Sequence, residues 1–374
     1  MSRARRLGVA AALVDGQLVR GDVATADGLV RQVGLSGSGR GLAVPGFVDL
    51  QVNGFAGTDF LAADTAGYHA AGEALLACGV TAFQPTFVSS PTETYAAALP
   101  AAAAAQASLQ APRLLGVHLE GPFLAPEFAG AHDPAHLVEP DVGRAQRLCE
   151  QGPVTAMTVA PERRGGLELV EHLVRRGVVV ALGHSAADAA TAHAAFNRGA
   201  RAITHIHNAQ RRWQARDPGL AGVALVRRDV VVQAVVDGVH LAPETVLAAV
   251  RLAHRRFALV TDAIEAAGMP AGRYRLGDRT VDVADGAARL AETTPAGGTL
   301  AGSVLTMDAA VRNLVDLGLP VADAVDAATR VPAGLAGRPE LGTLRPGTPA
   351  DVAVLDDTLH VTRTLVAGIE RAAP

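Results

Sequence analysis

Four polar residues each stand at the end of a short apolar run. Glu120 lies in RLLGVHLEG, His184 in VVVALGHS, His205 in AITHIHN and Asp262 in FALVTDA. A carboxylate and two imidazoles form a ligand set for a divalent cation, and a catalytic zinc keeps a fourth position for water. Bound zinc lowers the pKa of that water toward about 7, which opens hydrolysis at neutral pH. Burying Glu120, His184 and His205 is costly unless something binds them. Any one of them could be a core residue satisfied by hydrogen bonds, but three at strand ends point to a shared purpose. Asp262 is then free to take a proton from water and give it to a departing nitrogen. Its plainer alternative is a helix N-cap or a loop ion pair.

Other residues could contact a substrate. His240, in VVDGVHL, could polarise a carbonyl and stabilise an oxyanion, or bind a hydroxyl, or simply enter a helix. His132 lies in the loop EFAGAHDPAH, where substrate contact and plain exposure are both open. His118 and His207 sit two positions from Glu120 and His205, so each shares a strand face with a ligand candidate. Support or packing suits them. Backbone N–H groups at Asn208 and Ala209, with Arg216, could hold an anion such as phosphate, or form a solvated basic loop. Gly54 and Gly57 allow close backbone approach or tight turns. Trp213 reads as a lid or packing residue.

These side chains need elements to position them. Eight apolar runs alternate with helix-like segments between residues 42 and 341. They begin with LAVPGFVDLQV and end with FALVTDAI. Runs rich in β-branched residues suit parallel strands buried on both faces. A (β/α)₈ barrel builds its active site at the C-terminal ends of such strands. A doubly wound sheet would gather ligands at one switch point, whereas these candidates are spread along the chain. Ser185 is expected to cap the helix after the fifth strand, and Pro100 to interrupt the helix from Thr92 to Gln110. A hairpin is expected after Asp262. Residues 1–41 and 342–374 read as short strands with Gly turns, forming one small β-sandwich beside a barrel of residues 42–341.

The 374 residues are 49% hydrophobic and 19% charged, with a net charge of -4. That composition supports a large core and leaves no basic footprint for nucleic acid. The start, MSRARRLGVAAALVDG, is basic and then apolar, but Asp15 interrupts it, so it reads as a first strand. No stretch is long and apolar enough for a bilayer, and a soluble cytoplasmic protein is expected. The sequence contains no lysine. Lysine Schiff-base chemistry, a Walker A loop and a carbamylated lysine bridging two metals are thereby excluded. Cys78 and Cys149 read as small buried helix residues.

PGFVDLQVNGFAGTDF, GVHLEGPFL, ALGHSAA, ITHIHNAQ, RDPGLAGVAL, VVDGVHL, LVTDAIEAAG and LAGSVLTMDAAVRNLV together carry a family resemblance. The chain resembles the amidohydrolase superfamily and, within it, the N-acetylglucosamine-6-phosphate deacetylases, over nearly its whole length. The resemblance implies metal-dependent release of acetate from N-acetylglucosamine 6-phosphate. The galactosamine epimer, another amide substrate, or a barrel that binds without catalysis are the alternatives. It implies Glu120, His184 and His205 as metal ligands, with Asp262 and His240 as catalytic groups. It implies Ala131, His132, Asn208, Ala209, Arg216, His240 and the backbone of Leu300, Ala301 and Gly302 as substrate contacts. Arg216 is expected to reach the phosphate across a homodimer interface. Many superfamily members carry His-x-His on the first strand, where this chain has Gln51-x-Asn53. One divalent metal per chain follows, zinc foremost, with iron or manganese also compatible. The more usual NAM is NAQ here, and His207 stands where an aromatic is common.

Overall fold

A computed structural model describes residues 4–37, 39–292 and 298–372. Eight parallel strands form the barrel wall. They are β1 (Phe47–Val52), β2 (Val80–Val88), β3 (Val117–Glu120), β4 (Val154–Val159), β5 (Val179–Leu182), β6 (Ala202–Ile203), β7 (Val231–Ala234) and β8 (Phe257–Leu259). Each pairs with the next, as in Ala181 opposite Ala202 and Ala234 opposite Leu259, with register shifts in the β1–β2 and β3–β4 pairs. The ends of the sheet meet through Asp262 N–H donating to Gln51 O at 2.8 Å and Asn53 N–H to Ala263 O at 2.7 Å. β1 and β2 are buried at every position, as strands sandwiched between barrel interior and helices must be. The expected (β/α)₈ architecture is what the chain adopts.

Helices cover the wall. They are α1 (Thr65–Ala77), α2 (Thr92–Ser108), α3 (Val142–Gln151), α4 (Gly166–Arg175), α5 (Ala189–Asn197), α6 (Gly219–Val226), α7 (Pro243–Ala253) and α8 (Met307–Asp316). Three details differ from expectation. Pro100 lies inside α2 without ending it. Asp188, not Ser185, caps α5 by accepting the Thr191 N–H at 2.8 Å. Ser185 instead donates its hydroxyl to Glu162 Oε2 at 2.7 Å, pinning the loop after β5. The hairpin expected after Asp262 is a three-stranded antiparallel sheet of Gly272–Leu276, Arg279–Ala284 and Ala287–Leu290.

Both chain ends build sheets of their own. A six-stranded sheet takes Ala11–Val14, Gln17–Arg20 and Leu42–Pro45 from one end and Val352–Leu355, Val361–Val366 and Ile369–Ala372 from the other. A three-stranded sheet of Arg5–Arg6, Asp22–Ala26 and Leu29–Leu35 lies beside it. Leu7, Val9, Val23, Val30, Leu344, Val352 and Leu365 form their core, distinct from that of the barrel. The run expected as one strand over LAVPGFVDLQV divides at Gly46. A side chain there would sit 2.0 Å from Thr81 Oγ1, so only glycine lets the chain pass from sheet to barrel. Among the described residues, no helix is long and apolar enough to cross a membrane.

Candidate active site

Glu120 is the last residue of β3, while His184 and His205 follow β5 and β6 and Asp262 follows β8. His184, His205 and Asp262 adopt positive φ of 47°, 26° and 50°. Few residues other than glycine take that conformation, and here the barrel rim holds three of them in it.

The ligand candidates converge. His205 Nε2 lies 2.9 Å from Glu120 Oε1, His184 Nε2 lies 3.2 Å from the same oxygen, and the two Nε2 atoms are 3.1 Å apart. His184 donates its Nδ1–H to Phe128 O at 2.8 Å, which leaves Nε2 as a lone pair in the neutral ring. Among the described residues, His205 Nδ1 is buried and has no side-chain partner. Lone pairs this close repel unless a proton or a cation lies among them. One carboxylate oxygen and two imidazole nitrogens therefore fit a divalent cation by their chemistry. Without one, protons share the role. Burial pushes Glu120 up, but hydrogen bonds from His132, His184 and His205 outweigh it and hold the carboxyl well below the usual range. Burial pushes His205 down, yet the Glu120 carboxylate prevails and raises it to about 9.

Asp262 is held beside this cluster by two amides. Asn53 Nδ2 donates to Asp262 Oδ1 at 2.8 Å, and Gln51 Nε2 donates to the same oxygen at 3.1 Å. Gln51 Nε2 also reaches Glu120 Oε1 at 3.1 Å. Burial, reinforced by the Glu120 charge, raises Asp262 to about 6. Beneath it, buried Asp49 accepts the Thr261 hydroxyl at 2.5 Å and ties β1 to the residue preceding Asp262.

Two more imidazoles face the same space. His132 accepts the Ser89 N–H on Nδ1 at 3.1 Å, so its proton sits on Nε2, 3.6 Å from Glu120 Oε2. Burial pushes His132 below its ordinary value, which keeps the ring neutral. His240 Nδ1 lies 2.7 Å from Asp237 Oδ2. His118 is committed to Thr86 and Thr158 hydroxyls at 3.2 and 2.8 Å, and burial lowers it to about 4, so it packs inside the barrel as a neutral ring.

A cavity of about 330 Å³ opens over these groups at the C-terminal ends of the strands. Glu120, Ala131, His132, His184, His205, Asn208, Ala209, His240, Asp262, Leu300 and Gly302 all line it. Ala301 does not; it is buried behind the wall with its N–H given to Ala288 O. Arg216 is exposed and lies outside the cavity wall. Asn208 gives its N–H to His205 O at 3.1 Å, and of the three residues expected to hold an anion, Asn208 and Ala209 line the cavity while Arg216 does not. Gly54, Gly57, His207 and Trp213 are not in the wall, and Trp213 is 48% exposed. A larger cleft of about 470 Å³ between Pro161 and Arg198 contains no histidine.

Several site residues escaped the sequence reading. Gln51 and Asn53 were notable there only as missing histidines, although their alternation on β1 puts both on one face. Asp237 precedes His240 by three residues, a spacing suited to a side-chain-to-backbone turn. Ser89 and the Phe128 carbonyl act through backbone atoms, for which side-chain type gives no signal.

Comparison with known proteins agrees with this geometry. Residues 42–372 match the amidohydrolase family. The N-acetylglucosamine-6-phosphate deacetylase of Bos taurus is 38% identical over 356 residues, covering 89% of this chain and 85% of its own. The N-acetylgalactosamine-6-phosphate deacetylase of Escherichia coli O157:H7 is 36% identical over 337 residues, covering 87% of each. An aspartate-to-alanine mutant of the Mycobacterium smegmatis N-acetyl-D-glucosamine-6-phosphate deacetylase, in complex with N-acetyl-D-glucosamine-6-phosphate, superposes with a TM-score of 0.94. It is 34% identical, with all of both chains covered. The chain belongs to the amidohydrolase family.

Proposed function

We propose that this chain hydrolyses the acetamide of N-acetylglucosamine 6-phosphate to glucosamine 6-phosphate and acetate. The observation that carries the proposal is the convergence of Glu120 Oε1, His184 Nε2 and His205 Nε2 within 3.2 Å of one another beside Asp262. Glu120, His184 and His205 would hold one divalent cation, zinc foremost. When bound, such a cation supplies a Lewis acid and makes water nucleophilic near pH 7. Gln51 and Asn53 donate amide N–H groups where a second cation would need ligands, which supports one metal per chain.

The remaining steps belong to the chain's own groups. Asp262 takes a proton from the attacking water and returns it to the departing amine. The two amides on Oδ1 keep the carboxylate oriented, leaving Oδ2 for that transfer. His132 turns its Nε2–H toward Glu120 Oε2, 3.6 Å away, and so orients the ligand carboxylate from the cavity wall. Gly302 backs the site closely; a side chain there would meet Asp262 O at 2.7 Å. Arg216 lies outside its own chain's cavity, which supports a homodimer in which it serves the partner's phosphate.

Acetate release measured on both 6-phosphate epimers and on the unphosphorylated sugar tests this reading. Greatest kcat/KM on N-acetylglucosamine 6-phosphate is expected. Preference for the galactosamine epimer would reassign the substrate, and equal turnover without phosphate would remove the anion site.

A further inference from the structure

His184 is held on one side by the segment after β3. Its Nδ1–H goes to Phe128 O at 2.8 Å, and its carbonyl accepts the Ala125 N–H at 2.9 Å. On the other side stands Glu162, in the loop that follows β4. Glu162 Oε1 accepts the Ala186 N–H at 2.6 Å, and Oε2 accepts the Ser185 hydroxyl at 2.7 Å. Ser185 is buried, and its Oγ accepts the Ala187 N–H at 3.0 Å, so its own hydrogen is left for Glu162. One carboxylate thus spans the two residues that follow His184. Arg163 and Arg198 line the same outer cleft as Glu162, yet each is turned elsewhere. Arg163 reaches Glu139 at 2.6 Å, and Arg198 donates to Ala194 O at 3.2 Å. Both oxygens of Glu162 serve the His184 segment instead.

We infer that Glu162 is a positioning residue for the metal site: by clamping Ser185 and Ala186 it holds His184 where its Nε2 meets Glu120 and His205, and so tightens the grip on the cation. His184 has a φ of 47°. A residue with a Cβ enters that left-handed region against steric cost, and stays there only when its surroundings fix it. β5 ends at Leu182, so no strand fixes the chain beyond His184. Ser185 exchanges backbone bonds with Ala209 and Arg211, which follow His205. His205, His207 and Ala209 share the left-handed conformation. The two ligand loops therefore brace each other, and Glu162 joins them to the β4 side. A slack segment would let His184 Nε2 leave its place 3.2 Å from Glu120 Oε1 and 3.1 Å from His205 Nε2. A carboxylate suits the clamp because it accepts on both oxygens, whereas an amide accepts on one and donates from the other end. The inference rests on the proposed cation set of Glu120, His184 and His205.

Zinc affinity reads this role directly. Zinc-loaded enzyme is equilibrated with graded amounts of a chromophoric chelator, and the zinc retained per chain gives its Kd. Glu162→Ala should raise that Kd by about 10–100-fold, the scale for losing a partner that orients a metal ligand. Glu162→Gln and Ser185→Ala each spare part of the clamp and should fall between wild type and Glu162→Ala. Asp188→Ala is the control. It removes the cap of α5, a hydrogen bond of 2.8 Å to the Thr191 N–H, from the same segment without touching the clamp. It should loosen the fold and leave the zinc Kd unchanged. A wild-type Kd in Glu162→Ala overturns the inference. So does an equal rise in Asp188→Ala, because any loosening of the segment would then suffice. Should Glu162→Ala not fold, Glu162→Gln and Ser185→Ala decide, and an unchanged Kd in both overturns it. Failure of the metal reading itself would look different, since wild-type enzyme would then retain no stoichiometric zinc.

Discussion

Asp262 illustrates how one residue is tuned by its neighbours. Two amide donors on Oδ1 favour the carboxylate, while burial and the Glu120 charge favour the acid, and the balance settles at about 6. Asp262→Asn removes the proton carrier but touches none of the three ligand atoms. Turnover should fall by at least about 10²-fold with metal content unchanged, as read by elemental analysis beside acetate release. Loss of the metal in this variant would make Asp262 a ligand. Gln51→Leu should act differently. It strips a donor shared by Glu120 and Asp262 and leaves buried carboxylate oxygen short of partners, costing about 1–3 kcal/mol in a denaturant titration. Unchanged stability would mean that water replaces the amide. At this scale the sequence showed the metal and acid–base candidates because each polar residue interrupts an apolar run. It did not show Gln51, Asn53, Asp237 or Ser89 in their working roles. Those roles are defined by which atom donates to which, and residue type alone does not encode that.

At the scale of elements, the barrel rim carries the site and the three-stranded insert of residues 272–290 leans over it. Leu276 of the insert lines the cavity, and half-buried Asp59 anchors the insert by accepting the Gly277 N–H at 3.1 Å. Burial raises Asp59 to about 6. The sign follows from a folded value above the unfolded one near 4. The native chain binds the extra proton between those values, so its stability falls as pH rises through that window. Asp59→Asn cannot ionise, so relative to wild type it should gain stability from pH 4 to pH 7 in urea midpoints. A pH-independent difference would mean that Asp59 is not shifted. Gly302→Ala tests the rim itself. Its φ is +62°, and the added carbon would meet Ile264 Cγ2 at 2.6 Å and Asp262 O at 2.7 Å. A loss of about 1–3 kcal/mol with slower turnover is expected. Full stability and activity would show that the rim yields freely. The eight strands were legible as apolar runs between helical patterns. The break at Gly46 was not, because it depends on Thr81, which is distant in sequence. The uninterrupted α2 was not legible either, since local propensity cannot tell when packing tolerates a proline such as Pro100.

The whole molecule combines a catalytic barrel with sheets from both chain ends, and Arg216, the proposed phosphate contact, lies outside its own chain's cavity. Arg216→Ala should raise KM for the phosphorylated sugar and leave metal content intact. Mixing Arg216→Ala with Asp262→Asn chains should restore part of the activity if each copy supplies what the other lacks. No recovery in mixed dimers would place the phosphate contact within one chain. Such pairing is proposed from family resemblance alone, since no single-chain pattern marks an interface. The central claim is that one cation, held by Glu120, His184 and His205, enables the hydrolysis. Its most direct test is stepwise chelation and reloading with zinc, following metal content and acetate release on the same samples. Activity should vanish with the metal and return in proportion, saturating at one equivalent per chain. Full hydrolysis by metal-free protein, or a requirement for two equivalents, would contradict it.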